Sequence, residues 1–248
     1  MALTIGTRAN AGAIGTPAAV IDRERPSIAV VIAAKDEAST IADVIRRCRP
    51  FVDEIIVVDG HSRDDTPNIA TSEGARVVAD GGRGKGEALR VGARSVSSDI
   101  TVFIDADGSH VPEDIPQLVA PIADRRADHV SASRLRGGSS ELHGGFDEFF
   151  RLTGSSLITA CINRRFGVRL SDSQNGFRAI RTELFRRLDL RGNHTTIEQE
   201  MIMQTLKQGG RMDEIPSHEH ARQYGVSHIK VWRDAPQYLV SLVRGLFF

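Results

Sequence analysis

Within about eighty residues, short continuous apolar runs alternate four times with segments of helical spacing. The runs are Ser27–Ala34 (SIAVVIAA), Glu54–Asp59 (EIIVVD), Ala75–Ala79 (ARVVA) and Ile100–Ile104 (ITVFI). Each is strand-length and apolar throughout, which marks a strand buried on both faces rather than one with a wet side. Between them, Ala38–Arg47 places Ile41, Val44 and Ile45 on one helical face, and Thr66–Gly74 and 87–97 also read as helices. This alternation predicts an α/β fold, a mostly parallel central sheet flanked by helices on both faces. Ligands in such sheets sit beyond the carboxyl ends of the strands. The loops after Ala34, Asp59, Ala79 and Ile104 are therefore where function is sought.

Composition narrows the class. Lys+Arg and Asp+Glu balance at 32 each, so no net charge points to nucleic acid. Two cysteines, Cys48 and Cys161, lie far apart with no CxxC spacing, which argues against a disulfide framework or a thiolate metal site. No apolar run approaches the roughly 18–20 residues of a membrane span, and residues 1–26 carry no secretion-signal pattern. The expectation is a cytoplasmic protein with a flexible extension over 1–26 and one domain over 27–232.

The sharpest local signal is Asp105-Ala106-Asp107, directly after the fourth strand. Carboxylates at i and i+2 share a side of an extended chain, and such a pair suits Mg²⁺ or Mn²⁺ gripping a diphosphate. A solvated turn with acidic caps for the next helix is the plainer alternative. The glycine-rich stretch Gly81–Gly86 is no P-loop, because Gly86 stands where Ser or Thr would hold the metal. It fails as a dinucleotide fingerprint too, since Glu87 occupies the third glycine's place. What remains is a loop opening a helix, with Lys85 able to approach a nucleotide. Asp59 ends strand two, where a carboxylate can accept from a base or ribose. His218-x-His220 shares one face of an extended segment, but with no third ligand of zinc type nearby it reads as surface or core.

Taken in order, these pieces resemble inverting glycosyltransferases of family 2, with the GT-A fold. The pieces are Lys35-Asp36-Glu37, VVDGHSRDDT, GKGEAL and VFIDADGSH. Ser133-Arg134, the helix around Arg151 and Ser155, Asp172-Ser173-Gln174-Asn175-Gly176-Phe177-Arg178, Glu200-Met201, Glu214-Ile215-Pro216 and Arg222-x-x-Gly225-x-Ser227 are similar to the polyprenyl (dolichol) phosphate mannosyltransferase branch. The resemblance covers about 27–232. It implies donor-nucleotide contacts from Ala34, Asp36, Glu37, Asp59, Lys85, Asp105 and Ala106. It implies metal ligands Asp105 and Asp107, with Ser109 as a third, and an acceptor-phosphate site of Arg134, Arg151, Ser155 and Arg222. The chain departs from the branch at Ala33, Asp36 and Gly60, which leaves base and sugar open, and at Gly108-Ser109-His110, which leaves the third metal ligand open between Ser109 and water.

The expected activity is metal-dependent transfer of mannose or glucose from a GDP- or UDP-sugar to a polyprenyl phosphate or a small phosphorylated acceptor. Asp107 serves the reaction through the metal; Asp172 and Glu200 are the acidic candidates if a base is needed. A sugar nucleotidyltransferase is the rival of another class, but AAKDEAS after strand one lacks its glycine-rich basic loop. In the tail, Gln237, Ser241 and Arg244 form a narrow polar stripe on an otherwise apolar helix over 233–248. Such a face must meet the domain itself, a second copy in a homodimer, or the headgroups at the inner face of the cell membrane.

Overall fold

The structure, a computed structural model, describes residues 25–140, 146–221 and 231–248, with the backbone alone for 146–151 and 231–234. Residues 1–24 of the expected 1–26 extension and Arg222 lie outside the described residues, as does the Arg151 side chain. Strands β1 (Ile28–Ala34), β2 (Glu54–Asp59), β3 (Arg76–Ala79), β4 (Ile100–Asp105), β5 (His129–Ser133), β6 (Arg178–Arg181) and β7 (Met212–Pro216) form one sheet. Its order is β3-β2-β1-β4-β6-β5-β7. The first four strands pair in parallel, as does β5 with β7, and β6 runs antiparallel to both β4 and β5.

The first half follows the apolar pattern closely. Helices α1 (Ile41–Cys48), α2 (Thr66–Ser72) and α3 (Lys85–Ser95) link the first four strands, and α4 (Ile115–Ala123) follows β4. Side chains alternate across β1: Val30 and Ile32 enter one core with α1 and α4, while Ala29 and Val31 enter another with α3. Gly92 lets α3 lie close, because a Cβ there would run into Val31 and Val58. That tight seat fixes the start of α3, and with it Lys85, at the carboxyl end of the sheet.

The second half adds α5 (Arg134–Gly137), α6 (Phe146–Phe166), α7 (Thr182–Arg187), α8 (Ile197–Lys207) and α9 (Val231–Phe247). On α9, Leu242 and Leu246 are buried with Ile162 of α6 and Ile202 and Met203 of α8. The Tyr238 hydroxyl donates to Thr195 Oγ1 at 2.6 Å, and Arg165 Nε donates to the Leu246 carbonyl at 3.0 Å. One face of α9 thus docks on the chain's own domain, while Leu239, Val240, Val243 and Phe247 stay exposed. Among the described residues no helix is long and apolar enough to cross a membrane.

Candidate active site

Register gathers the sequence-predicted donor residues at one edge. Ala33 of β1 lies opposite Asp105 of β4, Ala34 opposite Asp59 of β2, and Asp59 opposite Ala79 of β3. The Ala34 carbonyl accepts from Gly60 N at 2.8 Å, closing the two loops on each other. Asp36 has φ 56°, its amide donates to Ser62 Oγ at 3.0 Å, and its Oδ1 accepts from Arg63 N at 2.6 Å. Glu37 N donates to Thr66 Oγ1 at 2.9 Å. Asp59 accepts from Ser62 N at 3.3 Å, at the carboxyl end of β2.

The centre of the site is a charge cluster. The Lys85 ammonium lies 2.6 Å from Asp105 Oδ1 and 2.9 Å from Glu198 Oε1 of α8. His110 Nε2 stands 3.5 Å from Asp105 Oδ2, and its ring stacks on Phe177. Burial works against the Asp105 carboxylate, yet Lys85 and His110 hold its pKa well below the usual range. Burial likewise opposes the Lys85 charge, and Asp105 and Glu198 overcome it, raising its pKa. Gly176 is pressed against this pair: a Cβ there would sit 2.8 Å from Asp105 Oδ2 and 2.9 Å from Lys85 Nζ. Only glycine lets the 174–177 backbone approach so closely.

Asp107 is buried, and its Oδ1 accepts from Ser109 N at 3.0 Å, so the turn folds around the carboxylate. Ser109 is also buried, and its carbonyl accepts from His220 N at 2.8 Å. The His218 ring is committed to Ser140 Oγ at 2.7 Å and lies 4.7 Å from that of His220. Among the described residues no three His, Cys, Asp or Glu side chains form a closed metal cage. Two hard carboxylates at a strand end, flanked by a lysine, instead fit Mg²⁺ or Mn²⁺ that completes its shell with substrate phosphate.

A second cluster stands beside it. Arg134, the first residue of α5, donates from Nε to Asp172 Oδ2 at 2.8 Å and from Nη1 to Glu219 Oε2 at 3.3 Å. Asp172 also accepts from Gln174 N at 3.0 Å. Its carboxylate therefore orients Arg134 and the loop. Helix α6, which carries Arg151 and Ser155, docks on the same loop through Thr159 Oγ1 and Ser173 Oγ at 2.8 Å. Ser155 is half-buried one turn before Thr159 and accepts from its hydroxyl through its carbonyl.

Glu200 is placed elsewhere. Its two oxygens accept from Arg191 N at 3.0 Å and Gly192 N at 2.7 Å, which ties α8 to the preceding loop. The acid at the centre is Glu198, which the sequence reading passed over because nothing in the local pattern separates it from Glu200. Arg178 closes the Asp172–Arg178 motif. It is fully buried, with Nη1 donating to the Glu198 carbonyl at 2.9 Å and Nη2 to the Asn175 carbonyl. It thus clamps the Gly176 loop to α8 behind Lys85 and Asp105.

A sequence profile described as Glycosyl transferase family 2 matches residues 29–189. The chain is 28% identical over 232 residues to the low-salt glycan biosynthesis hexosyltransferase Agl6 of Haloferax volcanii, covering 87% of this chain and 55% of the relative. It is 30% identical over 172 residues to undecaprenyl-phosphate 4-deoxy-4-formamido-L-arabinose transferase of Klebsiella pneumoniae, covering 63% of this chain and 49% of that one. It spans about half the length of these relatives. A solved structure of glucosyl-3-phosphoglycerate synthase from Mycobacterium tuberculosis, with Mn²⁺, UDP and glucosyl-3-phosphoglycerate, superposes with a TM-score of 0.72 at 26% identity. That match covers 89% of this chain and 80% of the synthase. The profile covers well over half of the sequence, and the chain belongs to glycosyl transferase family 2.

Proposed function

We propose that this chain is a metal-dependent inverting glycosyltransferase that moves a hexose from a GDP- or UDP-sugar to a polyprenyl phosphate. The observation that carries the reading is the Asp105-Ala106-Asp107 turn at the end of β4, with the Lys85 ammonium 2.6 Å from Asp105. Asp105 and Asp107 would hold Mg²⁺ or Mn²⁺, which when bound supplies positive charge to the departing diphosphate. Lys85, at the N-terminus of α3, adds its own charge where negative charge grows in the transition state. Asp59, Glu37 and the backbone at Ala34, together at the carboxyl ends of β1 and β2, would receive base and ribose. The acceptor's phosphate oxygen attacks the anomeric carbon from the face opposite the diphosphate, and the electron pair of the broken C–O bond leaves with the diphosphate. That oxygen is anionic near neutral pH, so no strong general base is required. Asp172 is already engaged by Arg134, which suits it to holding the phosphate-binding arginine rather than to taking a proton.

A second reading, a small phosphorylated acceptor, is supported by the likeness to the synthase solved with glucosyl-3-phosphoglycerate. One experiment tests both. Purified protein with Mn²⁺ is offered UDP-glucose and GDP-mannose, each with a polyprenyl phosphate, with 3-phosphoglycerate or with neither, and nucleotide release is scored. Release stimulated by the polyprenyl phosphate is the expected result. Stimulation by 3-phosphoglycerate alone selects the second reading, and no stimulation in any arm contradicts both.

A further inference from the structure

Arg134 is held unequally by its two carboxylates. Its Nε lies 2.8 Å from Asp172 Oδ2, a strong charge-assisted bond. At the other end Nη1 reaches Glu219 at 3.4 Å and 3.3 Å, close to the limit for a hydrogen bond. The remaining side-chain contact of Glu219 is also long, 3.2 Å from Ser139 Oγ. The Glu219 backbone, by contrast, is fixed: its amide donates to the Gly138 carbonyl at 3.0 Å and its carbonyl accepts from Ser140 N at 2.7 Å. The side chain can therefore swing without moving the chain. Arg134 and Glu219 are 13% and 11% exposed, buried enough for the charge to count and open enough for exchange with an incoming group.

We propose that Glu219 is an internal stand-in for the acceptor's phosphate on Arg134, and so a specificity-determining residue that sets how strongly a phosphate must bind to be accepted. The inference rests on the reading of Arg134 as the receiver of that phosphate. Among the described residues, two carboxylates against one guanidinium leave the cluster at one excess negative charge. A phosphate group, with up to two charges and three acceptor oxygens, is repelled by that excess until Glu219 withdraws. Once it withdraws, Asp172 still holds the guanidinium through Nε and Nη2, and Nη1 receives the phosphate. The occupied state taxes affinity in proportion to its population, so acceptors with a single carboxylate are rejected while a phosphate displaces the glutamate.

The test measures binding of inorganic phosphate by calorimetry, without divalent metal, to the wild type, Glu219→Gln, Arg134→Gln and the double variant. Glu219→Gln is expected to bind phosphate about tenfold more tightly, with no gain when Arg134 is also replaced. Glu219→Ala, which removes the whole side chain, must give the same tightening, and thermal midpoints confirm that each variant is folded. Arg134→Gln weakening phosphate while neither Glu219 variant tightens it overturns the stand-in and leaves the phosphate site standing. Phosphate binding that ignores Arg134 altogether overturns the acceptor-site reading instead. Repeating the series with geranyl phosphate and with 3-phosphoglycerate identifies, by the larger gain, whether the phosphate comes from a lipid or a small acid.

Discussion

Replacing Lys85 by Met removes the cation that Asp105 and Glu198 share. Since Nζ lies 2.6 Å from one carboxylate and 2.9 Å from the other, their facing oxygens lie within about 5 to 6 Å of each other. At an effective dielectric near 20, two charges at that separation repel by about 3 kcal/mol, and the partial exposure of Asp105 lowers this to about 2. With the shared cation gone, that repulsion favours the form in which one carboxyl of the pair keeps its proton. The sign follows. In the wild type the depressed Asp105 contributes stability that is present above its unfolded pKa and lost in acid. In the variant the raised group does the reverse, being stabilising below its unfolded pKa and losing that contribution as pH rises through the folded one. The deficit of Lys85→Met should therefore shrink only in acid, below the ordinary carboxylate range, and reach about 2–4 kcal/mol by pH 7.5. Urea unfolding in metal-free buffer across that range measures it. A deficit that does not change with pH, or none at pH 7.5, would refute the shared-cation account.

Three further outcomes are expected. Gly176→Ala should raise the Kd for a nucleoside diphosphate with Mn²⁺ about tenfold, because its Cβ displaces Asp105 and Lys85, while costing only about 1–2 kcal/mol of stability; unchanged affinity by calorimetry removes the 174–177 loop from the donor site. Burial holds His129 neutral, with a pKa well below its usual value and only Thr205 bonded at Nδ1, so its contribution is present above about pH 6.5 and lost as pH falls through it. His129→Gln should flatten that part of the stability profile, and an unchanged acid slope counts against it. Burial pushes the Cys48 thiol up to about 12, so a thiol reagent at pH 8 should label half-buried Cys161 and spare Cys48 in the native protein; equal labelling rates by mass spectrometry would contradict the packing of α1.

The first four strands were legible because each is a continuous apolar run bounded by turn residues, and all four lie within a residue or two of their expected limits. The later strands were not. β5 reads HVSAS and β6 reads RAIR, yet His129, Ser131, Ser133 and Arg178 are all fully buried. His129 bonds Thr205 of α8, Ser133 bonds Ser171, and Arg178 donates to the Glu198 carbonyl, a tertiary context that erases the apolar signature. The antiparallel β6 between β4 and β5 was invisible for the same reason. At the site, Asp105, Asp107 and Lys85 stood out from spacing alone. Glu198 did not, because two residues apart on a helix point to opposite sides, and sequence offers no way to say which side meets Lys85, 113 positions earlier. The same holds for Glu219 on Arg134, whose partnership spans 85 residues.

The most direct test of the central claim is nucleotide release from the preferred sugar donor by wild type and Asp107→Asn, each with Mn²⁺ and after chelation. Asparagine preserves the acceptor that Ser109 N requires, so the turn is kept and only the charge is lost. The account predicts that wild-type turnover disappears on chelation and returns with Mn²⁺. It predicts that Asp107→Asn stays at least a hundredfold slower at any metal concentration, a loss of about 2.7 kcal/mol or more in transition-state stabilisation. Wild-type turnover persisting in the folded Asp107→Asn protein, or in chelator, would contradict it.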